Sequence, residues 1–513
     1  MPAGPSRGVP RVVHVERQLQ NDQLRWWAMF ATIAFTTVVI GFVANGRSTE
    51  PFSIALLVLI VACVAAFVRP VVGVYLILFL TLVGDQVTME WWPFTKNMSS
   101  RESIFFVSDQ LILNPLEVLA AFTLAAWFLQ RLADPAWRFR RGALFAPVMV
   151  FTTFVVFGIL RGTSSGGDTR VAIFEFRPLL YLAVVYVLIT NLLSTRRQYR
   201  RLLLVSIVAI SIQSIFSLFY YRGLPEELRL SLESLNEHAA TIHMNALFVF
   251  LASLWLLRAR GLLRWMVILL AVPVVYAYIL SQRRAAMVAL FVGLFMVVVT
   301  LYYRRRRAFW VVVPLSLVFG IGLILATWNA QGGIGLPAQA VKSAFFPSQL
   351  AEEDRASDLY RQIEAFDLHF TIRSNPLLGL GFGQKFYTPI NLPDITFFEF
   401  WNYMPHNSIL WIWIKMGFFG FVSMLFMFAR AIQLGARSVV AVRTQEQVAI
   451  VLTGVTFIVM FVVFGYVDIA WGIRTTVFMA LALAICGDYV RAVDDSTHAT
   501  EGVHVGQLES VVR

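Results

Sequence analysis

The segment Pro405-His406-Asn407-Ser408-Ile409-Leu410-Trp411-Ile412-Trp413-Ile414-Lys415-Met416-Gly417-Phe418-Phe419-Gly420 sets a histidine and an amide at the mouth of an apolar stretch. It follows directly on the longest polar segment of the chain, 329–405. An imidazole titrates close to neutral pH without help, so His406 can take or give a proton at a membrane edge. On an ideal helix His406, Leu410, Trp413, Gly417 and Gly420 share one face, and the two glycines leave room there for a neighbouring helix. Pro405 suits a first helical position, and Lys415 points the opposite way, deep for a charge. Arg283 and Arg284 form a second group, adjacent in what hydropathy makes an outer turn. Two arginines there run against the positive-inside bias, and charge kept at a membrane edge marks function. Guanidinium forks bind phosphate oxygens bidentately without a metal.

Composition dictates the elements that must hold these groups. Of 513 residues, 58% are hydrophobic and 14% charged, and mean hydropathy is +0.71, which excludes an ordinary soluble globular chain. The net charge of +12 is not a nucleic-acid footprint, because the arginines come in short clusters between apolar runs, as in cytoplasmic loops. Cys63 and Cys486 lie far apart within apolar runs, supporting neither a disulfide framework nor a thiolate site. No zinc-like Cys/His spacing and no Asp-x-Asp pair is present in the outer segments, so neither metal nor cofactor is expected.

Apolar runs of about twenty residues begin near Trp26, Phe52, Val71, Leu111, Ala143, Leu179, Leu202, Ala240, Trp265, Ala285, Ala308, Ser408, Gln447 and Thr475. The expected fold is an all-α polytopic membrane protein with about 14 transmembrane helices and one long extracytoplasmic loop subdomain. The organisation reads as a basic cytoplasmic tail over 1–25, spans over 26–328, an outer loop over 329–405, spans over 406–489 and a cytoplasmic tail over 490–513. Arg197, Arg260, Arg304 to Arg307 and Arg437 fall in alternate loops, placing those loops and both termini in the cytoplasm. Within the outer loop, Leu359, Ile363, Phe366 and Phe370 recur at helical spacing beside Glu352, Glu353, Asp354, Arg355 and Asp358. That pattern predicts an amphipathic helix lying on the bundle or the membrane surface. A turn and Gly-rich loop follow over 375–383.

These features resemble a family, the bacterial O-antigen ligase and O-antigen polymerase superfamily. His406 and Asn407, then nine residues, then Gly417 and Gly420, are similar to its ligase signature. The stretch from Asp354 to Tyr360 and the Gly-rich segment 375–383 resemble its lead-in to the histidine. Ser281-Gln282-Arg283-Arg284 resembles its Ser-x-Arg turn, and Glu175-Phe176-Arg177 its Glu-x-Arg before a span. The resemblance implies a polyprenyl-diphosphate-linked glycan as donor, a glycan or glycolipid acceptor, and an active site on the periplasmic side of a bacterial inner membrane. It implies His406 as base or acceptor-orienting group, with Asn407 orienting the imidazole or acceptor. Arg283 or Arg284, with Arg177, would clamp the diphosphate; Glu175, Arg355 and Lys415 are further site residues. From a different class, a secondary transporter or lipid-linked glycan flippase would show Gly/Pro-interrupted midplane helices and matching halves. His238, His243 and His369 read as structural, because His238 and His243 do not share a helical face. Asp468 and Arg474, bracketing a short outer turn, read as each other's partners.

Overall fold

The computed structural model describes residues 51–133, 138–230, 232, 234–330, 333–350, 352–392 and 400–492. The tail 1–25, the span near Trp26 and residues 493–513 of the C-terminal tail lie outside the described residues. In chain order the helices are α1 (Pro51–Val68), α2 (Pro70–Val83), α3 (Pro115–Leu132), α4 (Phe145–Ser164), α5 (Thr169–Leu192) and α6 (Arg196–Gly223). A short α7 (Glu226–Leu230) precedes α8 (Ala240–Leu256), α9 (Leu263–Leu280), α10 (Arg284–Arg304) and α11 (Arg306–Ala326). Then come α12 (Leu336–Phe345), α13 (Glu352–Ser374), α14 (Ser408–Ala441), α15 (Gln445–Gly465) and α16 (Ile473–Asp488). No strand occurs among the described residues.

Local sequence sets several of the starts. Asn114 with Glu117, Thr195 with Gln198, and Thr444 with Gln447 form capping boxes opening α3, α6 and α15, each satisfying orphan backbone donors at both residues of the box. The Asp168 carboxylate accepts from the N–H groups of Arg170 and Val171 at the mouth of α5.

The expectation of about 14 spans is met in part. Among the described residues, eight helices (α4, α5, α6, α9, α10, α11, α14 and α15) are long and apolar enough to cross a membrane. Apolar helices in α1, α2 and α8 are shorter, and α3 and α16 carry Glu117, Arg131, Arg474 and Asp488 near their ends. No residue of α11 is buried, and Leu315, Val318 and Phe319 are 67%, 71% and 72% exposed. Such a helix is at home in lipid, where its backbone satisfies itself.

Interhelix contacts sort the described loops into two ends. At one end Arg140 donates to Leu193 O, Asp488 accepts from Ala143 N–H, and Arg305 donates to Leu256 O. At the other, Asp85 meets Arg474, Ser281 meets Asn236, and Arg284 meets Asp358. Helix α16, almost wholly buried, runs between α5 and α15 and ties the two ends together.

The segment before His406 contains the expected long helix, α13. Leu359, Phe366 and Phe370 are exposed, while Tyr360, Glu364, Asp367 and Thr371 are buried together with Leu368 and Ile372. The buried face is thus mixed, and the exposed aromatic residues suit a helix at a membrane surface.

Two expectations about α14 are corrected. The helix starts at Ser408 with Asn407 as N-cap, so Pro405 and His406 lie before it. At Gly417 the backbone leaves helical geometry (φ 70°, ψ −174°), so no single helical face runs from His406 to Gly420. The orphan groups at this break pair with the Gly-rich loop. Leu380 N–H donates to Ile414 O (2.7 Å), Gly381 N–H to Lys415 O (3.1 Å), and Phe418 N–H to Pro376 O (3.0 Å). Irregular backbone at this depth is tolerated because it is buried in protein. A Cβ at Gly417 would lie 2.1 Å from Leu377 O, and one at Gly379 2.6 Å from Gly417 N. Close backbone approach, on top of positive φ, therefore requires glycine at both positions.

Candidate functional site

His406 sits at the junction of α13 and α14. Its backbone N–H donates to Glu364 Oε2 (3.0 Å), and its Nδ1 lies 3.1 Å from Glu364 Oε1. A single buried carboxylate on α13 thus fixes both the main chain and the ring of the histidine. With Nδ1 donating to Glu364, the lone pair is left on Nε2. Tyr360, one turn earlier on α13, sets its ring edge-on to the imidazole with centroids 5.4 Å apart. The Asn407 side-chain oxygen accepts from Leu410 N–H (2.9 Å), so its carbonyl caps α14. A cavity of about 200 Å³ opens beside this group, lined by Arg361, Glu364, His369, His406, Asn407 and Tyr466.

A second imidazole stands next to the first. The His238 and His406 ring centroids are 6.2 Å apart, and His238 Nδ1 lies 2.6 Å from Asp468 Oδ1 in the turn between α15 and α16. Burial alone would raise the Asp468 carboxyl; His238, Arg283 and His406 outweigh it and hold the carboxyl well below the usual range. Asp468 is therefore a buried carboxylate partner of His238. The expected pairing of Asp468 with Arg474 is corrected by this geometry. Arg474 instead bonds Asp85 (3.1 Å) and Glu237 (2.8 Å).

That second ion-pair group positions the site. Asp85, Gln213, Ser217 and Asn236 are buried and mutually hydrogen-bonded near the C-terminal ends of α2 and α6. Asn236 accepts from Ser281 Oγ (3.1 Å). The loop bearing His238 and the turn bearing Arg283 are thereby fastened to one buried network. Ser408 adds a tie from the other side: its hydroxyl donates to Asp468 O (3.0 Å) and accepts from Ala470 N–H (2.8 Å).

The two outer arginines have different fates. Arg284 reaches Asp358 (3.1 Å) and Asp354 (3.4 Å), joining α10 to α13. Arg283 donates from Nε to Ser234 Oγ (3.3 Å) and has no carboxylate partner within ion-pair distance among the described residues; its charge acts on Asp468. Arg177 is not brought to His406. It is buried, pairs with Glu117 (2.8 Å) and donates to Asn97 and Ile112 O. Arg355 is exposed near the start of α13.

Glu175 and Lys415 belong to each other. Lys415 Nζ lies 2.8 Å from Glu175 Oε1, with both side chains fully buried. Glu175 Oε2 also accepts from Gly383 N–H (2.6 Å), and Lys415 donates to Gln384 O (2.6 Å). The pair pins the Gly-rich loop between α5 and α14, below the histidines.

Sequence reasoning missed Glu364, His238 and Asp468. Only Glu364 left a local trace: Tyr360, Glu364, Asp367 and Thr371 form a polar stripe at helical spacing. Asp468 and His238 are 230 residues apart, and nothing in either neighbourhood announces the other.

Fold and site together define a polytopic α-helical membrane protein with two acid-held imidazoles and an arginine gathered at one end of the bundle. Residues 269–425 match the family model described as O-antigen ligase. The O-antigen ligase of Salmonella typhimurium is 25% identical over 185 residues, covering 31% of this chain and 46% of the relative. The chain thus spans about half the length of the curated relative it matches. Both findings support the O-antigen ligase-like superfamily for this chain. The matched segment contains Arg283, Arg284, Glu364, His406, Asn407 and Lys415, whereas Glu175, Arg177, His238 and Asp468 lie outside it.

Proposed function

We propose that this protein transfers a glycan from a polyprenyl diphosphate to an acceptor hydroxyl at the extracytoplasmic face of a bacterial inner membrane. The observation that carries this reading is His406, held by buried Glu364 with its second nitrogen left over, beside a cavity at the membrane edge. In the reaction, the acceptor oxygen attacks the anomeric carbon and its proton passes to His406 Nε2. Glu364 keeps the ring in the tautomer that can receive that proton and stabilises the imidazolium that results. Arg283 supplies the fixed cation for the departing diphosphate, because Arg284 is already held by Asp354 and Asp358. Arg177 and the Glu175–Lys415 pair hold the scaffold. Arginine and imidazole provide the positive charge, so the step needs no metal.

The test is transfer by purified protein, using an undecaprenyl-diphosphate glycan and a lipid-linked sugar acceptor, with and without EDTA. His406→Ala is expected to lower turnover by about a hundredfold or more while inserting normally. Arg283→Lys is expected to be poorly active, because lysine lacks the fork. Near-normal transfer by the His406 variant would overturn the reading, and activity lost in EDTA but restored by Mg²⁺ would overturn the arginine clamp.

A further inference from the structure

Two carboxylate-held imidazoles with ring centroids 6.2 Å apart are more than one proton abstraction requires, and their surroundings differ. His406 belongs to the cavity side, among Glu364, Arg361, His369 and Tyr466. His238 belongs to the cation side. It shares its loop with Ser234, which receives the Arg283 Nε–H (3.3 Å), and its own partner Asp468 feels the Arg283 charge. Its side chain is 37% exposed while the Asp468 carboxylate behind it is 1% exposed. The ring therefore has an anchored nitrogen, Nδ1, and an outward one, Nε2.

We propose that His238 is the proton-carrying half of the diphosphate site, donating from Nε2 to an oxygen of the lipid diphosphate beside Arg283. This rests on the glycan-transfer reading. In the transfer step the bond from acceptor oxygen to anomeric carbon forms as the bond from that carbon to the diphosphate oxygen breaks, its electron pair staying with the diphosphate. The acceptor proton goes to His406. The His238 proton is shared with, or passes to, the leaving diphosphate, so charge accumulates on neither side. Solvent resets both rings. Buried Asp468, 2.6 Å from Nδ1, is the anion against which a protonated ring would rest. The other charged groups around His238 are His406 with Glu364 from α13, Arg283 from the turn between α9 and α10, and adjacent Glu237 with Arg474.

The experiment is binding of undecaprenyl diphosphate, carrying no sugar, to the purified full-length protein in detergent from about pH 5.5 to about pH 8.5. Protonated His238 strengthens anion binding, so its contribution is present at the acid end and lost as pH rises through the imidazole range. Ionisation of the ligand is common to all variants, so the comparison between them isolates the protein's part. His238→Gln is expected to bind roughly tenfold more weakly than wild type near the acid end and equally near the alkaline end. His406→Ala should lose transfer while still binding undecaprenyl diphosphate. Asp468→Asn, which leaves the ring in place, should move the midpoint of the pH dependence to lower pH; this variant decides the matter if His238→Gln does not accumulate. A His238→Gln profile parallel to wild type, or an unmoved midpoint in Asp468→Asn, would overturn the inference alone. Failure of wild type to bind undecaprenyl diphosphate at any pH would overturn the glycan-transfer reading with it.

Discussion

Replacing Glu364 by glutamine changes one charge and almost no volume, which makes it a sharp probe of the His406 site. The carboxylate accepts two bonds from the same residue, at 3.0 Å from the backbone N–H and 3.1 Å from Nδ1. An amide has one accepting and one donating end. If its oxygen keeps the backbone N–H, its NH₂ faces Nδ1, which must then be an acceptor. The ring proton moves to Nε2, and the nitrogen toward the cavity has no lone pair to receive the acceptor's proton. If its oxygen keeps Nδ1, the NH₂ is pressed donor-to-donor on the His406 backbone at a side chain only 2% exposed. Either arrangement removes or displaces the base. The expected loss is the general-base contribution, about 10²–10⁴ in turnover, or about 3–5 kcal/mol of transition-state stabilisation. Stability should fall by less, about 1–3 kcal/mol for a compromised buried hydrogen bond. Transfer would be followed under single-turnover conditions, with thermal unfolding in detergent to separate the two effects. Combining Glu364→Gln with His406→Ala should cost no more than His406→Ala alone, because both act through one group. Turnover by Glu364→Gln within about threefold of wild type would refute the claim that Glu364 sets the tautomer.

Two further outcomes follow from the scaffold. Gly417→Ala should lower the unfolding temperature by an amount corresponding to at least about 2 kcal/mol, since its Cβ would meet Leu377 O at 2.1 Å. Gly320→Ala, in a helix with open space around it, should be neutral or slightly stabilising, and equal melting of the two variants would refute the argument from the kink. Asp367 is buried with Oδ2 unpartnered, and burial pushes its carboxyl above the usual range, with Glu364 adding to the rise against the Ile390 N–H bond. Ionised Asp367 therefore costs stability above its folded-state value and nothing below the unfolded value near pH 4. Asp367→Asn should melt higher than wild type at about pH 8, with the gap closing toward about pH 4; a gap independent of pH would count against it.

What the sequence discloses here depends on how far apart interacting groups lie along the chain. Helix positions follow from runs of apolar residues and from caps such as Asn114 with Glu117, which are local facts, and so the spans expected from Phe52 onward correspond to helices. His406 is legible for the same reason, because its distinction is being polar at the edge of an apolar stretch. Partnerships are not local. Glu175 stands just before a span and Lys415 within one, 240 residues further on, yet tertiary packing brings them to 2.8 Å. Arg283 and Arg284 are indistinguishable as neighbours in a turn; the structure separates them by turning one toward Asp354 and Asp358 and the other toward Ser234 and Asp468. The helical-face argument over 406–420 goes astray because it takes regular geometry through Gly417, whose φ of 70° is stable only with the Gly-rich loop bonded into the break. The same glycines that read as room for a neighbouring helix are where a loop enters. By fixing that loop from beneath, Gly417, Glu175 and Lys415 give the chain between α13 and α14 a firm floor. The His406–Glu364 contact above it can then be held at hydrogen-bond distance, as proton transfer requires.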